Sequence, residues 1–174
     1  MSADHGDPAS CSQAGGSLRR LASRLRSAAD AVAAAAEETG HGEPVRGRGA
    51  RDLARRRQAL VETTRALAGD LDRTGSELQS HAADLAESVQ ELRDLQGRAE
   101  AVGLRVVDGR VELAWGVQGV ADAGDAATRE EQRLELQADA ERAAVVLHRR
   151  RARLATSLES ARDAAARHGV DLRG

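Results

Sequence analysis

The sequence predicts an all-α protein: an elongated antiparallel helical hairpin of coiled-coil character, with a third long helix and a small β-hairpin between helices two and three. Three observations carry that expectation. Mostly apolar or small residues recur almost throughout at threes and fours between residues 53 and 99, the heptad pattern that winds helices together. The apolar fraction is 41%, yet it holds one Trp and no Phe or Tyr, which suits thin helix–helix seams better than a thick core. Only between residues 104 and 113 does the period drop to two, the signature of strands. A chain of 174 residues has room for one such unit.

Residues 1–16 mix Ser, Gly and Asp with a Pro and show no apolar period, so they are expected to be disordered. From Ser17, a candidate N-cap, the residues Leu18, Leu21, Leu25, Ala28, Val32 and Ala35 recur at threes and fours and predict an amphipathic first helix. Gly40 and Pro44 then interrupt helical pattern, because Gly accepts a left-handed C-cap and the residue before Pro avoids the helical region. A bend follows.

The second helix carries Leu53, Leu60, Thr64, Leu67, Leu71, Thr74, Leu78, His81, Leu85, Val89, Leu92, Leu95 and Ala99 on one stripe. Running from about residue 50 to residue 102, it is expected to span about 75 Å. The first helix is shorter, so the far half of the second needs another partner. Residues 17–102 thus form the hairpin.

After Gly103, the alternation Leu104, Val106, Val111 and Leu113 flanks Asp108-Gly109, the pair preferred in a two-residue type I′ turn. That register places the four apolar residues on one face and sets Arg105 opposite Glu112. Trp115 extends the apolar face, and residues 103–122 make up hairpin and loop. A last helix over residues 123–168 follows, capped by Asp125 or by Thr128 with Glu131. Its stripe is Leu136, Ala140, Ala143, Leu147, Leu154, Leu158, Ala161 and Ala165, interrupted by Arg151. It is expected to lie antiparallel along the second helix, leaving 169–174 as a flexible tail.

The net charge is −2 with both signs interleaved, which builds no sustained field for nucleic acid or an anionic bilayer. Lys, Asn, Ile, Phe and Tyr never occur; their codons are AT-rich, so a GC-rich genome accounts for the exclusive use of Arg. The lone Cys11 supports no internal disulfide. No apolar run reaches membrane-spanning length and no signal-peptide pattern opens the chain, which predicts a cytoplasmic protein or one exported without a cleaved leader.

The hairpin of residues 17–102 resembles the Trp-x-Gly helical-hairpin proteins of actinobacterial type VII (ESX-like) secretion. Val45-Arg46-Gly47 stands at the bend where that family has Trp-x-Gly, followed by small residues and then Leu53. The stretch from His81 to Glu87, running on to Gly103, is similar to the end of the family's second helix, where a Tyr commonly takes the place of His81. The resemblance implies a non-enzymatic partner, chaperone or co-secreted subunit. In the family the bend Trp anchors the partner's helix end; Gly47 is kept here, and Trp115 is the one aromatic able to supply such an anchor.

Residue chemistry points away from catalysis. Five histidines, at 5, 41, 81, 148 and 168, include no pair at helical metal spacing. His81 alone falls on a seam, where a polar residue fixes register or acts as a pH-sensitive contact. The clusters Arg55-Arg56-Arg57 and Arg149-Arg150-Arg151 splay around a helix instead of forming one face, with no aromatic to stack a base. The sequence therefore favours a protein that binds another helical protein or a second copy of itself, through Leu67, Leu71, Leu78, His81, Leu85 and Leu92. No cofactor, metal, membrane or small-molecule substrate is expected. A self-assembling cytoplasmic coiled-coil scaffold and an Arg-mediated nucleic-acid binder are the alternatives.

Overall fold

The computed structural model describes residues 7–40, 47–114 and 123–173. Three helices, α1 (Pro8–Gly40), α2 (Arg48–Ala101) and α3 (Ala123–Asp171), account for most of them, with strands β1 (Leu104–Val107) and β2 (Arg110–Leu113) between α2 and α3. The all-α class with an inserted β-hairpin is therefore as the sequence predicts. The described residues divide into two compact units, one drawn from positions 9–80 and 154–173, the other mainly from positions 81–153. Both α2 and α3 contribute to each unit.

In the first unit α1 packs antiparallel on the opening half of α2. Arg19 and Arg26 both reach Asp72, at 3.4 and 2.9 Å, and Arg65 reaches Asp30 at 2.7 Å. The end of α3 joins them, again antiparallel to α2: Ser157 hydrogen-bonds Glu77, and His168 Nε2 lies 2.9 Å from Asp70 Oδ2.

The first helix departs from expectation at its start and in its phase. It begins at Pro8, so residues 8–16 are helical and Ser17 is no cap; its hydroxyl donates to the Gln13 carbonyl within the helix. Pro fits the first turn because its missing N–H would have no helical acceptor there. Packing then holds the early turns, since Gly15 is buried against α2. The buried stripe is Gly15, Ala22 and Ala29, flanked by half-buried Leu18 and Leu25, whereas Leu21, Ala28, Val32 and Ala35 are exposed. Small residues take the seam because the helix backbones approach too closely there for larger ones.

In α2, every residue of the predicted stripe from Thr64 to Ala99 is buried or half-buried, while Leu53 and Leu60 are exposed. A second buried row, Val61, Ala68, Gly75 and Ala82, runs beside it. Gly75 of this second row meets Gly15 and Arg19 of α1, so burial on α2 spreads over more than the single predicted stripe.

In the second unit, residues 81–101 of α2 and 123–153 of α3 run antiparallel, tied by Arg98–Asp139 at 2.8 Å and Arg150–Glu87 at 3.0 Å. The hairpin folds onto one end of this pair. Leu95, Ala99, Leu104, Val111, Leu136 and Ala140 form one buried cluster, with Val102 and Val106 packed against it. The register pairs Leu104 with Leu113, Arg105 with Glu112 and Val106 with Val111, as the alternation predicts. Asp108 and Gly109 have φ of 50° and 77°, the positive pair that a type I′ turn requires. Leu113 shares the face but stays 58% exposed, because it lies on the rim of an open groove beside α3's first turns.

The third helix begins upstream of both candidate caps, Asp125 and Thr128, since Ala123, Ala126 and Ala127 are strong helix formers that carry the helix back past them. It also continues past residue 168 to Asp171, so most of the expected tail is helical or in a closing turn. Arg150, not Arg151, occupies the seam, and Ser157 takes the inward position expected of Leu158.

Candidate interaction surfaces

The six residues predicted to meet a partner are seated inside the chain. Leu78, His81 and Leu85 are buried, and Leu67, Leu71 and Leu92 are half-buried. A foreign helix reaching them would have to displace the chain's own helices. Their role in this structure is to hold α2 against its neighbours.

Gly47 is exposed, and its carbonyl accepts the Arg51 N–H at 3.3 Å. This bend glycine therefore opens α2, in a position where glycine is tolerated as an N-cap. Val45 and Trp115 lie outside the described residues.

The arginine clusters resolve into individual contacts. Arg55 pairs with Asp52 one turn away. Arg150 turns into the α2–α3 seam, where Nη1 donates to the Asp84 carbonyl at 2.9 Å and to Ser88 Oγ at 2.8 Å, and Nη2 to Glu87 at 3.0 Å. A guanidinium can fill a heptad position when its fixed fork of donors meets acceptors on the facing helix. Arg55 and Arg150 are thus engaged within the chain, whereas no ion pair holds Arg56 or Arg57 among the described residues.

Carboxylates that matter for the fold are mostly paired. The Arg26 guanidinium, chiefly by its hydrogen bond, holds the Asp72 carboxyl below its ordinary value against the opposing effect of burial, with the Arg26 charge and then Arg19 adding smaller contributions. Arg133 does the same for Glu130, chiefly by its hydrogen bond.

Two open grooves lie in the second unit. One, of about 480 Å³, runs between α2 and α3, with Leu95, Ala143 and Val146 at its floor and the Arg98–Asp139 pair on its wall. The other, of about 310 Å³, sits between Leu104 and Leu113 of the hairpin and Ala126, Arg129 and Arg133 of α3. Both are open to solvent, and their polar groups are mostly charged side chains of surface type. Among the described residues no cluster of His, Cys, Asp or Glu could hold a metal ion, and no helix is long and apolar enough to cross a membrane.

No family model, curated protein or solved structure matches this chain. Its surfaces must speak for themselves.

Besides Leu21 on α1 and Leu158, Val170 and Leu172 in the last part of the chain, the uncovered apolar residues of the first unit gather at the bend end of α1 and α2. Leu53, Leu60, Leu67 and Thr74 recur at sevens on α2. Thr74 and Leu67 are half-buried, Leu60 is 46% exposed and Leu53 is 68% exposed. On α1, Cys11, Leu18 and Leu25 are half-buried, and Val32, next in the same series, is 38% exposed. Exposure rises where α3 stops: its last side-chain tie to α2 in this unit is His168 to Asp70, and it ends at Asp171. The α1–α2 seam itself stays closed, with Ala29 and Val61 buried. The sequence displayed these residues as part of the stripe but did not show how far along α2 the third helix would reach.

Proposed function

We propose that this chain is a non-enzymatic helical interaction module of the type VII (ESX-like) secretion kind, acting in the actinobacterial cytoplasm, or during export from it, as partner, chaperone or co-secreted subunit of another helical protein. The observation that supports this reading most is the antiparallel α1–α2 hairpin, closed by small residues and opened by Gly47, which leaves larger apolar residues such as Leu53 and Leu60 outward. An apolar row continuing beyond its cover, with charged residues around it, suits recognition of a helix.

Co-expression with helical proteins encoded beside it, followed by mass measurement of the purified species, tests the reading. A stoichiometric hetero-complex is the expected result, and loss of the protein from culture supernatant on deletion of the secretion ATPase would extend it to export. A homodimer that ignores those neighbours would replace it with the scaffold reading. The engagement of Arg55 and Arg150 within the chain gives the nucleic-acid reading no support.

A further inference from the structure

We infer that the open strip at the bend end of the hairpin is a docking site for an acidic amphipathic helix of a partner protein, which would take the place that α3 leaves empty. The inference rests only on the helix-recognition part of the proposed function and is independent of secretion. It begins from the geometry of the first unit, where three helices pack along part of α2 and two along the rest. Beside the stretch of α2 that α3 accompanies, Thr74 is half-buried, as is Leu67 one heptad nearer the bend; the same heptad series then continues through Leu60 and Leu53 into solvent.

The chemistry of the strip specifies the partner. Arg56 and Arg57 stand three and four residues after Leu53 and the same distances before Leu60, so on a helix they share the face with both leucines. No ion pair engages either of them among the described residues, whereas Arg55 is held by Asp52 and Arg65 by Asp30. Between residues 48 and 62 five arginines face two carboxylates, Asp52 and Glu62. On α1, Ala28 and Val32 are exposed as well. An apolar row with two free guanidiniums set between its leucines is complementary to a helix that carries Leu at heptad spacing and Glu beside it.

A second copy docking tip to tip would bring Arg56 and Arg57 of both chains together. Like charges juxtaposed across an interface are costly. The charge of the strip therefore favours a different, acidic chain.

The test uses the full-length protein and two labelled synthetic helices of 21 residues, alike in their Leu positions but flanked by Glu in one and by Lys in the other, followed by fluorescence anisotropy. The Glu helix is expected to bind and the Lys helix to bind at least about tenfold more weakly. The double variant Arg56→Glu with Arg57→Glu should reverse that order, and Leu53→Ser with Leu60→Ser should abolish binding of both. Because all four positions lie outside the closed seams, circular dichroism should report unchanged helix content and melting. Arg149→Glu, an exposed charge of the second unit, serves as control and should leave binding unaltered. Equal binding of the two helices, no binding of either, or a double Arg variant that keeps the original preference would overturn the proposal. A dimer in sedimentation that Leu60→Ser dissolves would overturn it in favour of a second copy. Failure of the proposed function would show in the hetero-complex and export measurements and would leave these peptide results standing.

Discussion

Gly15 and Gly75 meet backbone to backbone: a Cβ built on Gly15 would stand 2.6 Å from the Gly75 carbonyl oxygen, and one built on Gly75 would stand 2.7 Å from that of Gly15. Carbonyl oxygens at a helix crossing cannot swing aside as a side chain can. Alanine normally stabilises a helix interior by about 1 kcal/mol relative to glycine. Here the clash should outweigh that gain, so Gly75→Ala is expected to lose roughly 1–3 kcal/mol by urea denaturation. Gly69→Ala, on the same helix with nothing within 4 Å of its Cβ position, should instead gain up to about 1 kcal/mol. Opposite signs at two glycines six residues apart would establish the crossing.

Arg150 offers a second comparison. Its three bonds to Asp84, Glu87 and Ser88 close the α2–α3 seam of the second unit, and Ser88 is buried. Arg150→Ala is expected to cost about 1–3 kcal/mol, the range for charged hydrogen bonds and the acceptors they leave unpaired. Arg149→Ala, exposed on the neighbouring turn, should stay within about 0.5 kcal/mol of the parent. Thermal melts of the two variants check the ranking.

Gln137 fastens the β-hairpin to α3. Its Oε1 accepts the Val111 N–H at 2.8 Å, and its Nε2 donates to the Gly109 carbonyl at 3.3 Å. A two-stranded hairpin is marginal in water without such support. Gln137→Leu removes both bonds and should speed hydrogen exchange at the Val111 amide while leaving amides near Ala68 unchanged, at a total cost of about 1 kcal/mol.

Asp72 sets an acid dependence whose sign is fixed. Its folded pKa lies below the ordinary value of 3.8 because Arg26, then Arg19, favours the ionised form. The ionised carboxylate therefore adds stability that is fully present above pH 3.8 and is lost as pH falls through the lower, folded value. Asp72→Asn should remove that part of the acid limb: the variant is expected to be less stable near neutrality and to change less than the parent between pH 4 and pH 2. Denaturation midpoints across that interval are the measurement.

The phase of α1 can be tested by size. Ala22 is fully buried and Leu21 is 44% exposed. Ala22→Leu should overpack the seam and cost roughly 1–3 kcal/mol, whereas Leu21→Ala should change stability by less than about 1 kcal/mol.

What the sequence determined by itself is whatever short-range chemistry decides. The heptad row of α2 announces a long packed helix, because the period of burial is written along one element. Asp108-Gly109 specifies its turn and, through it, the pairing of Arg105 with Glu112, because positive φ at two successive residues admits few residue types. The tertiary structure decided everything that depends on how closely two elements approach and where one of them ends. Leucines outrank alanines in a search for apolar stripes, yet the Gly15–Gly75 crossing selects Ala22 and Ala29 for the seam and turns Leu21 and Val32 outward. His168 and Asp70 meet across 98 residues, with no local signal in either neighbourhood. That contact lies near the end of α3; nearer the bend, Leu60 and Leu53 are exposed while Leu67, on the same heptad row, is half-buried.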